Sequence, residues 1–172
     1  MKKLFLIIIF LLLQMNLVFS NTNIVFVDME KIMSSSKPGS SILKQLNSLN
    51  DKNKEIFINE QEKLKKKENE IISKKNIISE KEIEIEISKL KKDIVNYNTK
   101  RNKMIANFNQ LKVDSTNKLL QLINPILVKY SEENSIFMIL NKKNLIMGKI
   151  EMDITSKIMN IVDSDIKVFK IK

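Results

Sequence analysis

Apolar and polar residues follow three different patterns along the chain, and the first predicts a short strand and a short helix. Residues 24–27 form a continuous run of β-branched and aromatic side chains, which is typical of a strand buried on both faces. Asp28 follows this run and can cap a helix of one or two turns. The serine, proline and glycine residues at positions 34–39 then predict a break.

Residues 40–116 have the second pattern, which predicts a long antiparallel helical hairpin. In its first half, apolar residues recur at three-and-four spacing at Ile42, Leu46, Leu49, Ile56, Leu64 and Ile71. Asn53, Glu60 and Lys67 interrupt this stripe, so the seam is thin and accepts only one narrow partner helix. The second half, between residues 83 and 111, holds a more regular heptad and is the better coiled-coil former.

A capping box predicts the tip of the hairpin near residues 77–80. Ser79 is followed three residues later by Glu82, so that each side chain can satisfy a backbone N–H of the other. Ile78 and Ile83 occupy the two positions of a hydrophobic staple. A new helix is therefore expected just after Ser79, with two arms that are each about 55 Å long.

Two other structures are compatible with parts of this middle region. One continuous helix over residues 40–130 is an alternative to the hairpin, because capping boxes also arise by chance in polar sequence. Residues 82–87 alternate with period two, as a strand would. Glutamate is depleted in strands and the heptad continues past these residues, so the helix is preferred.

The third pattern is apolar again and predicts a small core. Beyond residue 116 the helix becomes rich in leucine and isoleucine and is expected to bend at Pro125. Residues 136–140 and 145–148 are predicted as two strands of a hairpin, to which the first strand can add. An amphipathic helix over about residues 153–162 closes the chain.

The predicted fold class is α+β and mostly helical, with a small β-strand body and a long helical arm. Residues 21–39 and 117–172 form the body, and residues 40–116 form the arm. A body of about 75 residues buries a marginal core, and its few strands leave open edges, so we expect oligomerisation. The residues expected to form the oligomer body are Ile24, Phe26, Ile136, Met138, Leu140, Leu145 and Met147.

Composition excludes several kinds of chemistry. The chain has no histidine, no cysteine and only two glycines. It therefore lacks an imidazole base, a thiolate nucleophile, the usual zinc or haem ligands and a glycine-rich phosphate loop. Two carboxylate pairs, Asp28 with Glu30 and Asp163 with Asp165, are explained more simply as helix caps and solvated ends than as catalytic groups. No enzyme activity, cofactor or metal is expected.

The first 20 residues have the layout of a secretory signal peptide. Two lysines precede the apolar run of residues 4–13, and a small residue, Ser20, ends the segment, which predicts cleavage after it. A retained membrane anchor is the alternative, but Gln14 and Asn16 cut the apolar run short of the length that spans a bilayer. Cleavage would lower the net charge from +10 to +8, so the exported part stays basic.

The order of these elements resembles the Skp/OmpH family of periplasmic chaperones over essentially the whole chain after the leader. The resemblance is carried by residues 24–29, 36–39, 78–82, 124–127, 136–140 and 153–155. It implies a periplasmic homotrimer whose strands form a small central barrel and whose three hairpins project around a cavity. It also implies an ATP-independent holdase for unfolded outer-membrane barrel proteins.

The chain departs from the family in two respects. The alanine that is common before the later strand is absent from residues 130–132, and Arg101 is the single arginine. Basic positions proposed for lipopolysaccharide binding in some family members cannot be matched residue by residue, so no such site is assigned. A transient contact with a membrane surface is left open.

A holdase of this kind would use weak contacts on its arms. The residues assigned to client binding are Phe57, Lys63, Lys65, Lys66, Lys67, Ile72, Lys74 and Lys75. Phe57 and Ile72 are chosen because they lie off the apolar stripe, and the lysines because a basic cage attracts acidic clients. For any single lysine, a solvated helical face is the better explanation.

The long hairpin and the basic charge each suggest an alternative function. A structural coiled-coil spacer or adaptor of the cell envelope is the main alternative, although an adaptor needs further β-rich domains for which the small body has no room. Nucleic-acid binding is not expected, because export, a single arginine and few aromatic residues on the arms argue against it.

Overall fold

The computed structural model describes residues 23–171, so the predicted signal peptide and its cleavage after Ser20 lie outside the described residues. The elements are β1 (Ile24–Val27), α1 (Met29–Ser35), α2 (Lys37–Lys74), α3 (Glu80–Glu133), β2 (Met138–Asn141) and α4 (Thr155–Asp165). The fold class is the predicted one, since long helices dominate and a small sheet is present. Within residues 23–171, no helix combines the length and the apolar character needed to cross a membrane.

α2 and α3 form the hairpin, and the chain reverses between Lys74 and Glu80. Ser79 caps α3: its side chain accepts a hydrogen bond from the backbone N–H of Glu82, and a Glu82 carboxylate oxygen accepts one from the Ser79 N–H at 3.0 Å. The alternative of one continuous helix is therefore wrong. The strand considered for residues 82–87 is also wrong, because these residues lie in the first turns of α3.

α1 and α2 are almost continuous, because only Ser36 separates them and α2 begins earlier than the predicted residue 40. The Ser36 side chain is fully buried and accepts a hydrogen bond from the N–H of Gly39 at 3.2 Å. A Cβ atom at Gly39 would lie 2.1 Å from the carbonyl oxygen of Met33. Glycine at this position thus allows the end of α1 to lie directly against the first turn of α2.

The sheet has two strands, and its pairing differs from the prediction. β1 pairs in parallel with β2, with Ile24 opposite Met138 and Val27 opposite Asn141. The other edge of β1 makes a single parallel bridge, between Phe26 and Asp153. Both edges of β1 are therefore occupied by segments from the far end of the chain.

Residues 145–148 were predicted as the second strand of a hairpin, and this prediction is wrong for the described chain. A 3-10 turn over Lys142–Asn144 follows β2 instead of a tight hairpin turn, and the chain then leaves the sheet. Gly148 passes against the ring of Phe26, where a Cβ atom would lie 2.6 Å from a ring carbon. No described residue pairs with the outer edge of β2.

The core of the body lies where α1, the base of the hairpin and α4 pack on the sheet. Its fully buried apolar side chains are Ile32, Leu119, Ile123, Ile158 and Val162. α3 supplies two of them and runs without interruption through Pro125 to Glu133. The body is thus built from both ends of the described chain, and the hairpin projects from it.

Candidate functional site

The seam between the arms differs from the predicted apolar stripe of α2 at one position, where Phe57 takes the place of Ile56. Phe57 is half-buried between the arms, whereas Ile56, which was assigned to the seam, is exposed. The guanidinium of Arg101 in α3 lies 5.7 Å from the centre of the Phe57 ring. Arg101 is polar at a heptad position, and this cation–π contact explains how the seam accommodates it. The placement of Phe57 off the stripe was therefore wrong.

Charged side chains also join the arms. The Lys67 ammonium lies 2.6 Å from a carboxylate oxygen of Asp93, and Lys100 lies 3.6 Å from Glu60. The hydrogen bond and the charge of Asp93 raise the pKa of Lys67 above its ordinary value. Lys67 was predicted as a client contact, but its charge is already paired across the seam.

The other lysines assigned to client binding are exposed, although Lys63 and Lys74 also border clefts between the arms. Lys65, Lys66, Lys74 and Lys75 are exposed and form no ion pair with another described residue. Lys63 makes only a long contact of 4.0 Å with Glu60. The arms thus carry a set of solvated positive charges that no described acidic residue neutralises by direct contact.

Exposed apolar side chains lie near the tip of the hairpin, among these charges. Ile72, assigned to client binding, is 63% exposed, and Ile77 is 79% exposed. Ile85 on the first turns of α3 is also exposed, although sequence reasoning did not single it out. The exposure of Ile77 and Ile85 could have been predicted from the sequence, since both residues fall outside the seam positions.

The staple residues at the tip have a structural role. Ile78 and Ile83 are half-buried and line a cleft of about 170 Å³ between the arms, together with Lys74. The Ser79 hydroxyl and the Ser79 backbone N–H both donate hydrogen bonds to the Glu82 carboxylate, and these two bonds lower the pKa of the Glu82 carboxyl. The tip is therefore a bonded turn that supports the exposed isoleucines.

A second apolar surface lies on the body. Among the predicted oligomer residues, Met138 and Met147 are exposed, while Ile24, Ile136, Leu140 and Leu145 are half-buried. Three neighbouring residues that the prediction did not include are strongly exposed: Phe137, Ile146 and Ile150. Ile146 is 100% exposed. We call Phe137, Met138, Ile146, Met147 and Ile150 the body patch.

Phe26, also predicted for the oligomer body, is only 6% exposed and packs within its own chain. Its ring lies against Gly148, and the Lys142 ammonium is 5.8 Å from its centre. Lys142 is held in turn by Asp153, at 2.9 Å, and this hydrogen bond and charge raise the pKa of Lys142. Phe26 therefore belongs to the fold of the single chain.

One carboxylate of each pair considered as catalytic accepts a hydrogen bond from a backbone N–H at the start of a helix. Asp28 accepts a hydrogen bond from the N–H of Lys31 at 2.9 Å, at the start of α1. Asp163 accepts one from the N–H of Lys37 at 2.6 Å and so ties α4 to the start of α2. Within residues 23–171, no group of three or more acidic residues is arranged to hold a metal ion.

A small α+β body that carries a lysine-rich helical hairpin defines the structural class of the protein. Residues 23–162 match the family of OmpH-like outer membrane proteins, and the chain belongs to this family. A crystal structure from Caulobacter crescentus CB15, provisionally assigned as an OmpH-like outer membrane chaperone, has the same fold. It aligns with a TM-score of 0.75 and 15% sequence identity, over 86% of this chain and 88% of the other. The sequence has no match among curated proteins.

Proposed function

We propose that the protein is an ATP-independent periplasmic holdase that binds unfolded outer-membrane barrel proteins and prevents their aggregation. The observation that carries this proposal is the combination of exposed isoleucines and solvated lysines near the tip of the arms. Membership of the OmpH-like family and the chaperone assignment of the Caulobacter protein support it. No catalytic step is part of the proposal.

The physical argument concerns affinity. A holdase must bind many unfolded sequences and release them without fuel, so it needs several shallow contacts in place of one deep pocket. Each exposed isoleucine can bury apolar client surface, at about 25 cal/mol per Å². The lysines add a long-range attraction for acidic clients that raises the rate of encounter.

We further propose that three chains assemble through their bodies, so that three hairpins surround the client. The body patch and the open edge of β2 support this proposal, because both would otherwise expose apolar surface and unpaired backbone groups to water. Residues 145–148 could then pair with a strand of another chain, which would give them the extended structure that the single chain does not provide.

Client capture is tested by diluting a urea-unfolded outer-membrane barrel protein into buffer and following light scattering. The variant Ile72→Ser/Ile77→Ser/Ile85→Ser should suppress aggregation at least threefold less well than the wild type. The control variant Val113→Ser/Leu122→Ser/Val128→Ser removes three exposed apolar side chains from the part of α3 nearer the body and should act like the wild type. A wild-type protein without any effect on scattering would contradict the proposed function and favour a structural spacer.

Assembly is tested by light scattering after gel filtration. The wild type should have a mass of about three chains, and Ile146→Asp should shift it towards the monomer because a buried unpaired charge is costly at an interface. The control Ile77→Asp places the same charge at the arm tip and should leave the mass unchanged. A wild-type monomer at micromolar concentration would contradict the trimer.

A further inference from the structure

The segment that follows α4 lies along the base of the hairpin in an extended form. Residues 167–171 belong to no helix or strand. They contact a groove between α2 and α3, which we call the base groove and define by Ser41, Gln45, Leu49, Leu111 and Lys118. Phe169 in this segment is 124 residues away in sequence from Gln45, which binds its backbone.

Gln45 binds the backbone of this segment at two points. Its side-chain amide donates a hydrogen bond to the carbonyl oxygen of Phe169 at 3.0 Å, and its side-chain oxygen accepts one from the N–H of Ile171 at 3.2 Å. These are the only hydrogen bonds that the backbone of residues 167–171 makes with described residues. A neighbouring β-strand would bond to the same carbonyl and N–H groups. Gln45 therefore recognises the backbone of an extended segment, whatever side chains that segment carries.

From Val168 to Ile171, the side chains of the segment alternate between solvent and the groove. Phe169 and Ile171 are half-buried against the core, and the Lys118 ammonium lies 4.4 Å from the centre of the Phe169 ring. Val168 is 56% exposed and Lys170 is exposed as well. The groove therefore takes an apolar side chain at every second position, which is the pattern of a strand from a membrane barrel.

The segment is an imperfect occupant of this groove. A cleft of about 460 Å³ remains open beside Ile171, between Leu49 and Leu111. Its rim carries Lys44 and Lys52, and Lys167 and Lys170 give the occupying segment a positive charge as well. A longer segment with neutral or acidic residues at the outward positions would fill more of the cleft and would suit its basic rim better.

We propose that the base groove is a binding site for extended polypeptide segments with apolar residues at alternate positions, and that residues 167–171 occupy it as an internal competitor. The ligand displaces the segment, takes over both hydrogen bonds of Gln45 and places two apolar side chains where Phe169 and Ile171 lie. The use of the base groove by clients rests on the proposed function, whereas the affinity of the groove for peptides does not.

The first experiment measures the affinity of a labelled peptide by fluorescence polarisation. The probe is the hexapeptide of residues 167–172 with its three lysines replaced by glutamate. It should bind the full-length variant Phe169→Ser/Ile171→Ser at least tenfold more tightly than the wild type, because the internal segment has lost its anchors. Adding Gln45→Met should remove the gain, while adding Gln61→Met on the exposed face of α2 should preserve it. Equal affinities for the wild type and the released variant, or equal effects of the two methionine substitutions, would overturn the proposal.

The second experiment uses the wild type alone and does not depend on how the variants fold. Hydrogen exchange of the Ile171 amide should become at least fivefold faster when saturating peptide is added, because its bond to Gln45 is lost. An unchanged rate overturns the proposal. Aggregation suppression by client capture without any change at Ile171 would leave the proposed function intact and refute only the groove. If the peptide displaces the segment but the protein does not suppress aggregation, the groove is supported and the proposed function is refuted.

Discussion

Asp153 belongs to a small hydrogen-bond network that joins three parts of the body. One of its oxygens accepts a hydrogen bond from the N–H of Thr155 at 2.9 Å, and the other lies 2.9 Å from the Lys142 ammonium. The Thr155 hydroxyl in turn accepts a hydrogen bond from the N–H of Asp28 at 2.8 Å. Burial alone would raise the pKa of Asp153, but the hydrogen bonds from Thr155 and Lys142 outweigh it and lower the pKa. The ionised form is therefore the one that the fold stabilises.

Asp153→Asn should reduce stability in a pH-dependent way. Because the folded state lowers the pKa, the stabilisation is complete above the ordinary value of 3.8 and is lost as the pH falls through the lower folded value. At pH 7 we expect the free energy of unfolding to fall by about 1–2 kcal/mol, from the loss of a charged hydrogen-bond acceptor. Urea unfolding at a series of pH values measures this difference, which should shrink towards zero in strong acid. Glu151→Gln, at an exposed acid that forms no ion pair with another described residue, is the control. A difference that stays constant from pH 7 to strong acid would argue against this role of the carboxylate.

At the scale of elements, the hairpin is held by a seam that mixes apolar and polar contacts. Leu64 and Ile71 follow Phe57 at intervals of seven residues and are half-buried. Asn53 and Glu60 are half-buried as well and occupy polar positions of the seam. Asn53 lines a cleft of about 200 Å³ together with Met104 and Phe108 of α3. A seam of this kind stabilises the hairpin less than a continuous apolar seam would, which suits the adaptable arms of the proposed holdase.

Asn53→Leu should stabilise the hairpin, because leucine would bury apolar surface against Met104 and Phe108. The expected gain in the free energy of unfolding is about 0.5–1 kcal/mol, as for a partly buried side chain. Urea unfolding followed by circular dichroism measures it. Asn59→Leu, at an exposed position of the same helix, should give no gain. Equal effects of the two substitutions would show that helix propensity, and not the seam, is responsible.

For the whole molecule, the distribution of charge matters more than any single ion pair. The chain has 30 basic and 20 acidic side chains, and its exposed lysines on the arms lie beside exposed isoleucines. Surface charges act over about 10 Å at 0.1 M salt, so the arms would attract an acidic client before contact. The exposed isoleucines would then hold it through interactions that salt does not screen.

The association rate of an acidic client should fall as the salt concentration rises, and the lysines on the arms should carry most of this dependence. At low salt, Lys65→Gln/Lys66→Gln should associate about two- to threefold more slowly than the wild type, because steering depends on local charge. Stopped-flow fluorescence of a labelled client measures the rate. The control Lys149→Gln/Lys157→Gln removes the same charge from the body and should have a smaller effect. Equal slowing by both variants would show that only net charge matters.

Local signals were sufficient to predict the helices and the tip. Ser79 and Glu82 are three residues apart, and their capping box depends only on hydrogen bonds within one helical turn. The long helices likewise follow from apolar spacing and the lack of glycine and proline along the arms. The seam residue at positions 56 and 57 could not be chosen from local pattern, because Ile56 and Phe57 are adjacent apolar residues and the partner helix decides which of them faces inward.

The sequence by itself thus determined a helical hairpin on a small α+β body, because helices, caps and heptads depend on contacts between residues three to seven positions apart. Only the tertiary structure decided the parallel pairing of β1 with β2, the exposure of the body patch and the position of residues 167–171 on Gln45. These features join residues that are more than 100 positions apart. Several segments of similar apolar character could compete for each such contact, and packing of the complete body selects among them.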